Sequence, residues 1–205
     1  MKALLINGSP HANGCTFTAL SIVAEELQKN GIETEIVHIG SKDIRGCISC
    51  GKCRELGHCV FNDMVNEVAS KFEQADGLVV GSPVYYSGPN GTLTNLLDRL
   101  FYSANYDLRM KVGAAVVSAR RAGTTAAFDR LNKYFTISEM PVVSSRYWNM
   151  VHGFTAEDVM RDEEGCQIMR VLGRNMAFLM KAIAAEKAKN GLPETEPWIG
   201  THFIR

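Results

Sequence analysis

Four cysteines in the first third of the chain have a spacing that suits a metal site. They follow the pattern C-x2-C-x2-C-x5-C, inside a segment (residues 45–61) that shows no clear helical or strand periodicity. A connection this long in a compact domain is usually functional. Ferredoxins bind a cube of iron and sulfide with C-x2-C-x2-C-x3-C-P, so only the last spacing differs here. The candidate metal ligands are Cys47, Cys50, Cys53 and Cys59.

The cysteine spacing leaves three states of this segment open. Four thiolates can ligate an iron–sulfur cluster or one tetrahedral zinc ion. The cysteines can also remain without metal, as small apolar residues or as redox thiols. The chain starts directly with a strand pattern and shows no signal peptide, so a cytoplasmic location is expected. In that reducing compartment the six cysteines are more typical of ligands or free thiols than of disulfides.

Residues 2–16 have the composition of an anion site. Residues 3–6 are a short apolar run, typical of a strand buried on both faces, and a helical periodicity begins at Thr16. The first N–H groups of a helix have no internal partners, and the helix dipole favours negative charge there. Ser9 and Asn13 add donors, and Gly14 lets the backbone come close to a ligand. The pattern predicts a phosphate site; the alternative is an ordinary turn with a Ser or Thr helix cap.

The type of phosphate can be narrowed by motifs that are missing. A P-loop would need a lysine where Cys15 stands, and the G-x-G-x-x-G fingerprint of dinucleotide sites is absent from the sequence. The second strand ends His38-Ile39-Gly40, without the acidic residue that binds a ribose. A hydroxyl-rich turn without lysine therefore favours a mononucleotide monophosphate held by neutral donors.

Two later turns are candidates for the rest of such a ligand. Residues 81–91 follow the third strand, and Tyr85 and Tyr86 there could stack on a flat conjugated ring or could merely cover the sheet edge. Residues 118–124 follow the fourth strand. Arg120 and Arg121 in that turn could meet the phosphate of a nicotinamide dinucleotide or could simply be solvated.

The order of apolar patterns predicts an α/β fold in one domain. Apolar runs at 3–6, 34–39, 77–80, 112–117 and 140–143 alternate with helical patterns, which indicates a parallel sheet covered by helices on both faces. Ligands of such sheets lie beyond the carboxyl ends of the strands. A long helical pattern ends the chain as an extension over 160–205, with His202 in its tail. Lys plus Arg and Asp plus Glu number 22 each, which argues against nucleic acid or an anionic membrane as partners.

The turns after the first and third strands resemble those of the NAD(P)H-dependent FMN reductase family of flavodoxin-like proteins. The resemblance rests on Gly8-Ser9-Pro10-x-x-x-Gly14-x-Thr16, on Gly81-Ser82-Pro83-Val84-Tyr85 and on Leu97-Asp98-Arg99, in the right order. It implies a doubly wound five-stranded parallel sheet of order 2-1-3-4-5 in three αβα layers. It also implies non-covalent FMN, with NAD(P)H as co-substrate. The resemblance runs from about residue 2 to residue 145, and the absence of a repeat or linker predicts a single domain over 1–205.

The resemblance also supplies candidate cofactor contacts. The phosphate would lie on the first turn, the isoalloxazine along the turn after the third strand, and the turn after the fourth strand on its other side. Trp148 would be a lid over a flavin, preferably that of a neighbouring subunit in a homodimer or homotetramer; packing under the last helix is the alternative. The expected contacts are Ser9, His11, Asn13, Gly14, Cys15, Thr16, Pro83, Val84, Tyr85, Tyr86, Ser87, Ser118, Ala119, Arg120, Gly123 and Trp148.

The cysteine spacing is similar to that of the iron–sulfur flavoproteins, a branch of the same superfamily. The leading hypothesis is an FMN-dependent oxidoreductase in which NAD(P)H reduces the flavin and a quinone or other small acceptor takes the electrons. The alternative is an electron carrier that relays electrons between ferredoxin, a [4Fe–4S] cluster and FMN. A zinc-stabilised binding module is a third hypothesis. No catalytic side chain is nominated, because the flavin carries the chemistry.

Overall fold

The computed structural model describes residues 1–201 and consists of strands that alternate with helices. The strands are β1 (Lys2–Asn7), β2 (Glu33–His38), β3 (Gly77–Tyr85), β4 (Gly88–Pro89), β5 (Val112–Ala119) and β6 (Met150–His152). The helices are α1 (Cys15–Lys29), α2 (Cys53–Leu56), α3 (Met64–Glu73), α4 (Gly91–Ser103), α5 (Thr124–Thr136), α6 (Ala156–Arg161) and α7 (Glu163–Asn190).

Five strands form one parallel sheet in the order β2-β1-β3-β5-β6. This is the predicted 2-1-3-4-5 order once β4 is set aside, because β4 only forms a short antiparallel hairpin with the end of β3. From β1 the chain adds β2 on one side and then β3 on the other, so the strand order reverses between β1 and β3. The carboxyl ends of these two strands mark that point. The predicted fold class is confirmed.

Each face of the sheet has its own apolar core, because successive strand residues point to opposite faces. In β1, Ala3 and Leu5 pack towards α1 and α7, whereas Leu4 and Ile6 pack towards α3, α4 and α5. All four residues are fully buried. The continuous apolar run in the sequence therefore reflects a strand covered on both sides, and the three-layer arrangement follows from it.

The fifth parallel strand lies later in the chain than the sequence indicated. At the predicted position, residues 140–143, only a single bridge between Val142 and Gly113 is formed. The edge of the sheet is β6, and Asn149, just before it, donates from its side-chain Nδ2 to Ala115 O at 3.0 Å. A side-chain amide thus replaces a backbone donor beside β5, and regular pairing begins only at Met150.

The predicted C-terminal extension over 160–205 corresponds mainly to α7, which packs along α1. Gly173 permits this close contact, since a Cβ there would lie 2.9 Å from Val23 O. Residues 191–201 form no helix or strand, and His202 lies outside the described residues. Within residues 1–201, no helix is both long and apolar enough to cross a membrane.

Candidate active site

The turn between β1 and α1 is fixed by backbone contacts and by a buried amide. The Gly8 N–H donates to Gly81 O at 2.8 Å, and a Cβ on Gly8 would lie 2.7 Å from that oxygen and 2.6 Å from Leu93 Cδ2. Asn7 is fully buried; its Oδ1 accepts from Ser9 N–H at 3.1 Å, and its Nδ2 donates to Ala12 O at 3.2 Å. The shape of the turn is therefore held by contacts within the protein.

The N-terminus of α1 is open in the way an anion site requires. Its cap residue is Gly14, which has no side-chain cap, and the first turn contains no acidic residue. The first intrahelical bond runs from Thr18 N–H to Gly14 O, so the N–H groups of residues 15–17 stand outside the helical ladder. The alternative of a Ser or Thr cap is not what the structure shows. A phosphate monoester fits this donor set.

The hydroxyl groups predicted as phosphate donors are already paired within the protein. Thr16 Oγ1 and Ser118 Oγ lie 2.8 Å apart and are both buried, which ties α1 to the end of β5. Ser9 Oγ accepts from His11 N–H at 3.1 Å. These contacts organise the turns; Ser9 Oγ only accepts in its contact, so its O–H remains a donor for the anion beside the backbone N–H groups.

Cys15 belongs to the first turn of α1, yet its thiol points towards the chain after β6. The Sγ donates to Thr155 O at 3.3 Å, and Gly153 O lies 3.6 Å away. Burial raises the pKa of the Cys15 thiol, so this group is neutral near pH 7. The Cys15 side chain is thus a packing contact, and only its backbone faces the turn.

The turns after β3 and β5 lie against each other and form the walls of a groove. Gly123 has φ +92°, and a Cβ there would be 3.0 Å from Ser87 Cα and 3.1 Å from Val84 Cγ1. Val84 and residues 119–122 line the groove. The hairpin tip holds Tyr86 (φ 50°) and Ser87 (φ 61°) in the left-handed region. Two-residue hairpins favour that conformation, usually with Asn or Gly, so this tip stores strain next to the groove.

The structure brings together the predicted residues of the three turns, because β1, β3 and β5 end at the same edge of the sheet. We call this region, residues 8–16, 83–87 and 118–123, the carboxyl-edge site. Trp148 precedes β6: the adjacent Asn149 O accepts from Val117 N–H near the end of β5, and the Trp148 ring packs on Tyr147 at 4.7 Å between centroids. The role of Trp148 as a lid stays a prediction.

The four cysteines of segment 45–61 line one cavity beside α4. Cys47 and Cys50 are exposed, Cys53 and Cys59 are partly buried, and all four are free thiols. Among residues 1–201, no three His, Cys, Asp or Glu side chains are grouped closely enough to hold one metal ion. Four thiols that face a shared cavity match the donor set of an iron–sulfur cluster, in which each iron takes one cysteine. We call this region the cysteine cavity.

Sequence reasoning missed the residues that hold the cysteine cavity in place. Asn66 accepts from Cys59 N–H at 3.1 Å and donates to Cys59 O at 3.0 Å. The Cys53 thiol lies 3.8 Å from Tyr102 O. Arg99 is buried and contacts the Cys59 sulfur. Asn7 was missed at the other site. Asn7 and Arg99 are polar residues at positions that the strand and helix patterns assign to the core, and this was the available signal for them.

Comparison with known proteins gives a consistent set of relatives. The model of a family described as NADPH-dependent FMN reductase matches residues 1–155. An iron–sulfur flavoprotein of Methanocaldococcus jannaschii is 33% identical over 89% of this chain and 99% of that protein. An iron–sulfur flavoprotein of Methanosarcina thermophila is 28% identical over 92% of this chain and 100% of that protein. The structure of the NAD(P)H:quinone oxidoreductase from Methanothermobacter marburgensis aligns with a TM-score of 0.65 at 19% identity, over 86% of this chain and 96% of that one.

Proposed function

The chain belongs to the NADPH-dependent FMN reductase family, and from this premise we propose that its carboxyl-edge site binds FMN and that NADPH reduces it there. The observation that carries this proposal is the open N-terminus of α1 below a groove walled by Val84 and Gly123. FMN, when bound, supplies hydride acceptance from a nicotinamide and transfer of electrons to a small acceptor.

The protein residues would contribute position and charge stabilisation. Backbone N–H groups of residues 15–17 would bind the phosphate, and the dipole of α1 would favour its negative charge. The strained hairpin tip and the turn 118–123 would hold the ring between two backbone walls, which restricts its motion and excludes water. Arg120 and Arg121 are exposed at the groove, where their charges would favour the phosphate groups of an approaching dinucleotide.

The test of this function is an anaerobic titration of flavin-free protein with FMN, followed by addition of NADPH. We expect FMN to bind with quenched fluorescence and NADPH to bleach its absorbance. Gly123→Ala should weaken FMN binding, because the new Cβ would press on the hairpin at Ser87 Cα. Gly31→Ala is the matched control, since Gly31 also has a positive φ (+77°) but meets nothing within 4 Å.

Three outcomes would contradict the proposal. Protein that refuses FMN cannot be an FMN reductase. Protein that binds FMN but is not reduced by NADPH or NADH would keep the flavin site and lose the reductase activity. Equal FMN affinities for Gly123→Ala and Gly31→Ala would place the flavin elsewhere in the fold.

A second candidate function is an electron relay, favoured by the cysteine cavity and by the cysteine spacing. We propose that a [4Fe–4S] cluster is held by Cys47, Cys50, Cys53 and Cys59 and supplies one-electron transfer next to the flavin site. Iron and acid-labile sulfide measured together in anaerobically purified protein test this. Zinc without sulfide would instead favour a zinc-stabilised module, and iron with reduction by ferredoxin but not by NADPH would favour the relay over the reductase.

Domain organisation, location and assembly complete the proposal. We propose one domain over residues 1–205, and a cytoplasmic location because all six cysteines are free thiols. We also propose a homodimer or homotetramer in which Trp148, half exposed, lies at a partner's site. Molecular mass in solution, compared between the native chain and Trp148→Ala, tests the assembly.

A further inference from the structure

Arg99 is the largest side chain that the structure buries completely, and it is a charged one. It lies on α4, with 1% of the side chain exposed. A buried guanidinium is costly unless its N–H groups are paired. All three of its nitrogens make contacts, and every acceptor belongs to the segment that follows β2. The position of Arg99 is therefore determined by the cysteine cavity and by the start of α3, not by the apolar core.

The contacts of Arg99 divide into a carboxylate side and a sulfur side. Nη1 and Nη2 donate to Asp63 Oδ2 and Oδ1 at 2.7 and 2.9 Å, which is the two-pronged geometry that arginine favours. Nε and Nη2 both donate to Cys59 Sγ at 3.2 Å. Nη1 also reaches Arg45 O at 3.3 Å. One planar group thus fixes the sulfur of Cys59 relative to the carboxylate of Asp63.

Asp63 and Asn66 connect this arrangement to α3. Asp63 Oδ1 accepts from Val65 N–H at 3.1 Å and caps α3, so the carboxylate cannot move without disturbing that helix. Asn66 holds the backbone of Cys59 through two hydrogen bonds. By contrast, Cys47 and Cys50 are exposed, and the Cys47 sulfur accepts from Ser49 N–H, two positions later in the same segment. The Cys53 thiol reaches one backbone oxygen on α4, Tyr102 O, at 3.8 Å, whereas the Cys59 sulfur accepts two hydrogen bonds from a side chain of that helix.

We propose that Arg99 is a positioning residue for Cys59: it holds that sulfur at the cavity wall and favours the reduced state of a cluster ligated there. N–H groups directed at a ligand sulfur withdraw electron density and stabilise added negative charge, which raises the reduction potential. The charge of Arg99 acts in the same direction, and Asp63 partly offsets it. This inference rests on the proposed iron–sulfur cluster and adds the residue that would set its potential.

The test is a redox titration of anaerobically reconstituted protein, with iron, sulfide and FMN measured on the same samples. Arg99→Gln removes the positive charge and the two-pronged guanidinium, and it should lower the reduction potential of the cluster. We expect a change of about tenfold in the ratio of reduced to oxidised cluster at fixed ambient potential, about 59 mV for a one-electron couple. Asp63→Asn keeps a good helix cap and keeps the N–H groups on Cys59, so the potential should rise. Arg99→Lys keeps the charge but not the two-pronged guanidinium, and its reduction potential should lie between those of Arg99→Gln and the native chain.

The matched control is Arg174→Gln, which removes the same charge from α7 on the opposite face of the sheet, where Arg174 Nε lies 3.4 Å from Glu26 Oε2. It should leave the potential unchanged. Loss of the cluster from Arg99→Gln, in protein that keeps its FMN and its cooperative unfolding, would also support the positioning role. Unchanged potentials in Arg99→Gln and Asp63→Asn, or shifts of equal sign, would overturn the proposal.

Failure of the premise is visible in the native chain. If the native protein takes up no iron and sulfide, the inference about Arg99 falls together with the cluster. The flavin function would still be tested by FMN binding and by bleaching with NADPH in those samples.

Discussion

The turn between β1 and α1 and the segment 45–61 both follow a parallel strand at the same edge of the sheet, but different contacts hold them. The first turn is fixed by neighbours in sequence and by backbone atoms: Asn7 bonds to Ser9 and Ala12, and Gly8 bonds to Gly81. The second is fixed by side chains of two helices, chiefly Arg99 from α4, 40 positions after Cys59, and Asn66 from α3, which follows the segment. A backbone-built site tolerates many side chains, whereas the cysteine cavity depends on a few.

The comparison explains why the two regions should respond differently to substitution. Close backbone approach at the first turn makes the loss of a glycine costly there. At the cysteine cavity, loss of a ligand or of an anchoring side chain should remove the bound group while the sheet stays intact. The changes below are ordered from the largest expected effect to the smallest.

Cys59→Ser separates the two regions most sharply. In the proposed cluster site, serine cannot replace the thiolate of Cys59, so most of the iron and sulfide should be lost. FMN content should stay at the native level, because Cys59 is not part of the carboxyl-edge site. Cys166→Ser is the control, since Cys166 is a buried residue of α7 whose thiol donates to Val159 O, away from segment 45–61 in the chain. Equal iron content in both variants would show that Cys59 is no ligand.

Gly8→Ala should damage the carboxyl-edge site and leave the cysteine cavity intact. The added Cβ would lie within 2.7 Å of Gly81 O, a backbone atom that cannot move aside cheaply. Overpacking of this kind costs about 1–3 kcal/mol, and the displaced turn should bind FMN poorly. Urea unfolding and FMN titration measure both effects. Gly91→Ala is the control, because nothing lies within 4 Å of its Cβ position; a loss as large in that variant would contradict the explanation.

Ser118→Ala tests whether the buried hydroxyl pair organises the carboxyl-edge site. It leaves Thr16 Oγ1 without its partner, and an unpaired buried hydroxyl costs about 1–2 kcal/mol of the free energy of unfolding. Adding Thr16→Val should recover much of that loss, because both polar groups are then gone. A double variant as destabilised as the sum of the singles would show that the two hydroxyls act independently.

Glu35→Gln lies outside both regions and should leave FMN and iron unchanged. The hydrogen bonds from Lys2 and then Lys71 hold the pKa of the Glu35 carboxyl below its usual value. A carboxyl whose pKa is lower in the folded than in the unfolded state stabilises the fold at pH values above its unfolded-state pKa. This stability is lost as the pH falls through its folded-state pKa. At neutral pH the free energy of unfolding of the native chain should exceed that of the variant by less than about 1 kcal/mol, since the ion pairs of Glu35 are partly exposed. Urea unfolding at pH 7 and at acid pH should show that gap close; a gap that persists in acid would rule out the ion pairs as its cause.

The sequence predicted the parts of the molecule that depend on local pattern. The apolar run of β1, the polar turn after it and the α1 periodicity identified the fold, the FMN reductase family and FMN-dependent oxidoreductase chemistry, which the comparisons confirm. The contact residues named for FMN and for the metal remain predictions. The position of the fifth strand was wrong, because the Asn149 side chain takes the place of a backbone donor beside β5 and no pattern in residues 140–150 shows this.

Long-range partners were harder to predict for the same physical reason. Arg99 falls on the buried face of an amphipathic helix, and its partner sulfur lies 40 positions earlier in the chain. The contacts of Cys15 and Trp148 likewise depend on where the chain runs on either side of the last strand, β6. Spacing rules act within one element, whereas these contacts are decided by which elements the sheet brings together.

Helix α4 begins under the β3–β4 hairpin, where Asn90 caps it, and its later turns carry Arg99 and Tyr102 to the cysteine cavity. A rise of 1.5 Å per residue puts Asn90 and Arg99 about 14 Å apart along the axis. The spacing between the cap of α4 and Arg99 is therefore set by the helical rise. One helix joins the hairpin beside the groove to the arginine beside the cysteine cavity, so a change in its length would move the one relative to the other.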